Sequence, residues 1–202
     1  MKLGPAQCPE REAGMKAKPA KGLVLGPGDR WWEVRTPFGE MVLAGDGTAV
    51  RWALLPGDPR AEAIAGERGR PKAVALAEEQ LEAYFAGELF HFDLAIDPQG
   101  TEWQRSVWRA LEQIPYGATV NYGAVASAVG RPKAARAVGG AANANPLPLV
   151  VPCHRVVGSD GRLVGYGGGL ELKAALLAHE RKVLAGGPRL RLTRPVTGRL
   201  AP

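Results

Sequence analysis

The 202 residues carry a net charge of +6 and 46% hydrophobic side chains, enough for one large domain or two small ones around packed cores. No stretch reaches the roughly 20 apolar residues of a membrane-spanning helix, and the opening MKLGPAQCPEREAGMKAKPAKG lacks an apolar h-region, so neither a membrane segment nor a secretory signal is expected. Only two cysteines occur, Cys8 and Cys153, which excludes a disulfide framework and points to a reducing, cytoplasmic setting.

Charge is unevenly divided. Residues 1–100 hold 12 basic and 15 acidic side chains, residues 101–202 hold 14 and 5, so the second half suits a polyanionic partner. A merely basic soluble protein fits the same numbers. The three histidines, His91, His154 and His179, and the two distant cysteines give no zinc-type spacing, and no metal or cofactor is expected.

In chain order, residues 1–29 are rich in Gly, Pro and Lys without apolar periodicity and read as a flexible tail. Trp31–Thr36, Gly39–Ala44 and Thr48–Leu55 read as strands, the last two joined by the hairpin pair Asp46-Gly47. Gly57–Lys72 reads as a polar connection. Val74–Ala86 places Leu81, Tyr84 and Phe85 at helical spacing, with Gly87 as the stop. Phe90–Ile96 alternates Phe90, Phe92, Leu94 and Ile96 and reads as a further strand. The whole is a small α+β unit over residues 30–97 with no catalytic constellation of its own, its carboxylates looking like solvated flanks.

Asp97-Pro98-Gln99-Gly100 marks a boundary. A second unit over residues 98–184 opens with Thr101 and Gln104 as a capping box, on a helix that stops at Pro115-Tyr116-Gly117. Asn121 caps a short helix ending at Gly130, and Pro132 begins another, Lys133–Ala142. The pair has the outline of a helix-turn-helix. Its second helix is smooth, with Arg136 its one long side chain beyond the first turn. A base-edge reader projects several long polar groups, so a groove wall with one arginine entering the base stack suits this helix better. Arg131 and Lys133 suit phosphates, while two packing helices with solvated charges remain the plainer alternative.

Prolines fence the run Asn145-Pro146-Leu147-Pro148-Leu149-Val150-Val151, and Leu149–Val151 reads as a buried strand or extended arm. The arm delivers Pro152-Cys153-His154-Arg155-Val156. A thiol reacts as its thiolate, and a histidine beside it can take the proton. On these two residues alone a buried, inert cysteine is the commoner outcome; the basic half and the helix-turn-helix turn the balance. Leu170–Glu180 reads as a helix closed by Glu180, for which an exposed helix-end carboxylate is the plainer alternative, and residues 185–202 read as a basic tail.

Several of these segments together resemble the O6-alkylguanine-DNA alkyltransferases. They are Pro152-Cys153-His154-Arg155-Val156, Asn145-Pro146, Gly165-Tyr166-Gly167-Gly168-Gly169, Ile114-Pro115-Tyr116-Gly117, Tyr122-Gly123 and Ala134-Ala135-Arg136-Ala137-Val138-Gly139. The resemblance implies a small RNase H-like N-terminal α/β domain before a mainly helical one. It implies irreversible transfer of the O6-alkyl group of guanine, and less readily the O4-alkyl group of thymine, onto Cys153, once per molecule. The partner it implies is double-stranded DNA with alkylated bases, bound by a monomer, the base flipped out of the stack. By the same resemblance His154 acts through a water with Glu180 behind it, and Asn145 holds the turn. Tyr122 donates to the leaving guanine, although a core aromatic fits Tyr122 equally well. Arg136 fills the vacated stack, and Ala135, Ala137 and Gly139 line the minor-groove side. Tyr166 walls the base, Gly167 brings a backbone N–H to O6, and Cys153 and Val156 offer carbonyls. Gly167 stands where some relatives carry serine. Two other readings compete: a lesion-binding protein without transfer, which lacks the cysteine, and a cysteine hydrolase, which would turn over.

Overall fold

The computed structural model describes residues 23–186. Its sheet is built from β1 (Arg30–Thr36), β2 (Gly39–Gly45) and β3 (Val50–Leu54), antiparallel neighbours as the hairpin pattern requires, with β4 (Glu67–Arg68) added in parallel to β1. The Gly57–Lys72 connection therefore contains an edge strand and a 3-10 turn at Ala61–Ala63 that its polar composition concealed. Helix α1 (Lys72–Phe85) packs on this sheet and buries Ala73, Val74, Ala77, Leu81 and Tyr84. Gly87, at φ +73°, turns the chain after its C-cap, where a left-handed residue must sit. Order begins before Trp31. Leu23 is buried, the Val24 backbone bridges to Ala65, and the Asp29 carboxylate meets Arg51.

Phe90–Ile96 is not a strand of the sheet: only Ile96 forms an isolated bridge, to Val50. The alternation arose from aromatics that serve neighbours other than a sheet face. Phe92 stacks on Tyr84 at 5.5 Å and Phe90 meets Tyr116 edge-on at 4.9 Å.

The helical half follows. Helix α2 (Glu102–Glu112) starts from the complete Thr101/Gln104 capping box. After β5 (Val120–Asn121), α3 (Tyr122–Ala128) is capped by Asn121, whose side chain accepts from Ala124 N at 2.8 Å. Helix α4 (Ala135–Asn143) begins two residues later than the Pro132 signal suggested, because residues 132–133 form the turn itself. Lys133 thus lies before the helix rather than in it, as Arg131 does. β6 (Val156–Val157) pairs in parallel with β5, and α5 (Gly169–Ala185) closes the described chain, running five residues past Glu180. Of the basic tail, residues 187–202 lie outside the described residues, as do residues 1–22 and Cys8.

One hydrophobic cluster runs through both halves, from Val34 and Leu43 of the sheet through Trp108 and Leu111 to Val151 and Leu176. The two halves also share backbone: Ala53 N donates to Pro146 O at 2.8 Å, tying β3 to the segment before the cysteine. The architecture is an N-terminal mixed α/β domain followed by a mainly helical region with the helix-turn-helix.

Candidate active site

Leu149–Val151 is a turn, not the extended arm that its apolar run suggested. Leu149 has φ +77°, the one positive value outside glycine among the described residues, and Val151 N returns to Leu147 O at 2.8 Å. A branched side chain in this region costs on the order of 1–3 kcal/mol, so the surroundings must hold it there. Asn145 does. Its Oδ1 accepts from Leu147 N at 3.0 Å, while Nδ2 donates to Val151 O at 2.8 Å and to Cys153 Sγ at 3.2 Å. Leu149 itself is buried to 1% exposure. The turn thereby hands Cys153 to a 3-10 turn, Cys153–Arg155, with the sulfur already under an amide donor.

Behind the sulfur lies a buried polar file. His154 Nε2 and Glu180 Oε1 are 2.9 Å apart and neither side chain has any solvent exposure. The helix does not close at Glu180, as the sequence suggested: α5 continues past it and turns its carboxylate inward on the same stripe as Lys173, Leu176 and Leu177, which rules out the plainer alternative of an exposed helix-end carboxylate. Its carboxylate also accepts from Tyr84 Oη at 2.8 Å, Gly117 N at 2.8 Å and Arg155 Nη2 at 2.9 Å. Burial pushes the Glu180 carboxyl up, but the hydrogen bonds and charges of His154 and Arg155 together outweigh it and hold the group at about 2. Burial lowers the His154 pKa further than Glu180 raises it, so the imidazole rests neutral at neutral pH. With an anion at Nε2, that nitrogen is the donor, which leaves the lone pair on Nδ1. Nδ1 is buried and has no hydrogen-bond partner among the described residues.

Burial raises the Cys153 thiol, opposed by the Asn145 hydrogen bond and the Lys173 charge. The resting group is therefore a thiol that must lose its proton to react. In front of it is a cavity of about 250 Å³, small for a drug-sized ligand and of the order needed by one flat base. Tyr122, Gly139, Cys153, Tyr166 and Gly167 all line it, so the structure brings five of the expected residues to one space. Tyr122 donates to Val164 O at 3.3 Å; burial, then the nearby cysteine, raises its pKa and keeps it a phenol. Tyr166 is half-buried, and its hydroxyl has no hydrogen-bond partner among the described residues. An adjoining groove of about 490 Å³ is lined by Arg136, Ala135 and Gly139 of α4 with Asn121 to Gly123. Arg136 is exposed at that groove; Ala137 is exposed too but does not line it. Arg131 lies over the Trp103 ring at 5.2 Å, and Lys133 is exposed in the turn. Val156 O, expected to face a base, already accepts from Lys173 Nζ at 2.6 Å.

Three residues escaped the sequence reading. Lys173, with no exposed surface, grips Val156 O, Val164 O at 2.8 Å and Gly165 O at 3.3 Å, fixing the cavity rim. Arg155, inside the cysteine motif, chelates Glu180 and donates to Ile114 O at 2.6 Å. Tyr84 arrives from the N-terminal domain. A signal existed for the first: Lys173 and Glu180 occupy the apolar i, i+3, i+4, i+7 stripe of α5, where charge is anomalous.

A family model for the 6-O-methylguanine DNA methyltransferase DNA binding domain matches residues 102–182. The methylated-DNA–protein-cysteine methyltransferase of Mycolicibacterium paratuberculosis is 50% identical over 149 residues, 74% of this chain and 90% of that protein. The enzyme of the same name from Methanosarcina acetivorans is 47% identical over 146 residues, covering 72% and 94%. The crystal structure of Mycobacterium tuberculosis OGT in complex with DNA superposes with a TM-score of 0.71 at 43% identity, covering 76% of this chain and 94% of that one. The structure of the O6-methylguanine methyltransferase from the same organism gives 0.68 at 43% identity, covering 76% and 93%. With relatives this similar along nearly their full length, and with a buried cysteine, histidine and glutamate behind a base-sized cavity, the chain belongs to the methylated-DNA–protein-cysteine methyltransferase family.

Proposed function

We propose that this protein repairs double-stranded DNA by moving the O6-alkyl group of guanine, and less readily the O4-alkyl group of thymine, onto Cys153, one group per molecule. The observation that carries this reading is the buried His154–Glu180 pair next in the chain to a cysteine whose sulfur, under the Asn145 amide, opens on a base-sized cavity. The S–H proton leaves toward Nδ1 of His154 by way of a water, and the imidazolium that forms is stabilised by the Glu180 anion at 2.9 Å. The sulfur lone pair forms the S–C bond as the C–O bond breaks. The displaced guanine takes up a proton, for which Tyr122 at the cavity wall is the donor, and the proton lost from sulfur restores the phenol. Asn145 keeps its hydrogen bond on the sulfur as negative charge develops.

The cavity cannot admit a stacked base, so the nucleotide has to leave the duplex. Arg136, exposed beside the groove on a helix of small side chains, fills the space it vacates, and the closely approaching α4 lies along the minor groove. Arg131 and Lys133 meet phosphates.

Intact mass before and after incubation with O6-methylguanine duplex tests the function. The expected result is a gain of one methyl group on the whole population and no more; unaltered mass, or many lesions processed per molecule, sinks it. For Arg136→Ala, repair of duplex falls about tenfold or more, whereas reaction with a free O6-alkylguanine base is close to unchanged, because only the duplex needs the nucleotide extruded. Equal losses on both substrates in a single-turnover assay would contradict the role.

A further inference from the structure

Two hydrogen bonds join the end of α1 to α5. Tyr84 Oη donates to Glu180 Oε1 at 2.8 Å, and Nε2–H of His179 donates to the Tyr84 carbonyl at 3.1 Å. Tyr84 is 1% exposed, its ring stacked on Phe92 at 5.5 Å and edge-on to Tyr116 at 5.6 Å. A hydroxyl placed so deep is aimed by its packing. The oxygen it reaches is the same one that His154 Nε2 reaches at 2.9 Å. Donors from two different domains therefore share a single carboxylate oxygen.

We propose that Tyr84 is a positioning residue through which the N-terminal domain sets how strongly Glu180 supports His154, and so how basic His154 is during transfer. The inference rests on the reading of His154 and Glu180 as the proton relay. A hydrogen bond donated to a carboxylate disperses its charge and makes it a weaker acceptor for every other donor. Without the phenol, Oε1 interacts more strongly with His154, and the imidazolium gains stability relative to the imidazole. Other groups face this pair: Arg155 on the 3-10 turn, Tyr116 after α2, Lys173 on α5, and Cys153 and Tyr166 at the cavity. A Tyr84→Phe change leaves all of them in place and keeps the ring packing, so it isolates one hydrogen bond. Tyr84 itself stays a neutral donor, since burial and then the Glu180 charge push its pKa up.

The test is the pH dependence of single-turnover alkylation by the full chain on O6-methylguanine duplex, with Glu180→Gln run in parallel. For Tyr84→Phe the acid limb moves to higher pH by about half a unit, a rate about threefold lower on that limb and nearly equal on the plateau. Fluorotyrosine incorporated at Tyr84 is a stronger donor on the same ring and moves the limb the other way. Equal slowing at every pH, or a limb that stays put in both variants, overturns the inference and leaves Tyr84 a packing residue. If Glu180→Gln also leaves rate and limb untouched, the relay reading itself fails.

Discussion

Cys153→Ala abolishes alkyl transfer while DNA binding survives. Both halves follow from the geometry. Among the described residues Cys153 carries the one thiol, with Asn145 Nδ2 donating to it at 3.2 Å, and alanine removes it without touching the bonds from Asn145 to Val151 O and Leu147 N that hold the turn. Deleting one small buried atom group costs on the order of 1 kcal/mol, well short of unfolding a domain of this size. Arg136 and the α4 surface are unaltered, so affinity for methylated duplex, read by fluorescence anisotropy, stays within about threefold of the parent. Transfer that persists in the variant, mapped by peptide mass to another residue such as Cys8, would refute Cys153 as the acceptor.

Glu180→Gln slows transfer about a hundredfold and destabilises the fold together. The carboxylate accepts from Tyr84, His154, Gly117 and Arg155 with no exposed surface. An amide offers one acceptor oxygen and an NH2 that Gly117 N and Arg155, which are donors only, cannot accept. Arg155, 5% exposed, is left without its anion, and breaking a buried pair of this kind costs roughly 3–5 kcal/mol. Acid separates this from a general defect. The Glu180 carboxyl is depressed from 4.5 to about 2, so its stabilisation is complete above the unfolded value and is lost as pH falls through the folded one. Between those values the parent loses roughly 3 kcal/mol that the glutamine variant, already lacking it, does not lose again. Denaturant midpoints measured across that range read the difference, and parallel curves for the two proteins would contradict it. A single-turnover rate equal to the parent's, normalised to folded protein, would remove Glu180 from the chemistry.

What could be read in the sequence was local chemistry. Thr101 with Gln104, Asn121 before α3 and Gly87 after α1 each solve a helix-end problem within four residues, and each stands where expected. Patterns with two physical causes misled. Phe90–Ile96 alternates like a strand because its rings seek Tyr84 and Tyr116. Leu149–Val151 is apolar because a buried turn is as dry as a buried strand, and only Asn145 distinguishes them. The cysteine, histidine and glutamate were accessible through resemblance. The burial of Glu180, and the identity of its other partners, were not. Tyr84 lies 96 positions from the oxygen it bonds, and nothing near either residue in the chain announces the other.

The ladder between β5 and β6 is only two residues long, Val120 with Val156 and Asn121 with Val157. Yet one of its ends caps the first helix of the helix-turn-helix, and the other follows Cys153 by three positions. A scaffold joined so closely ties the sulfur to the helix pair, and the two are expected to move together. The distance between a stacked lesion and its acceptor must then be closed wholly by motion of the nucleic acid, and substrates whose damaged nucleotide is already loosely held, at a mismatch or a bulge, should be cleared fastest.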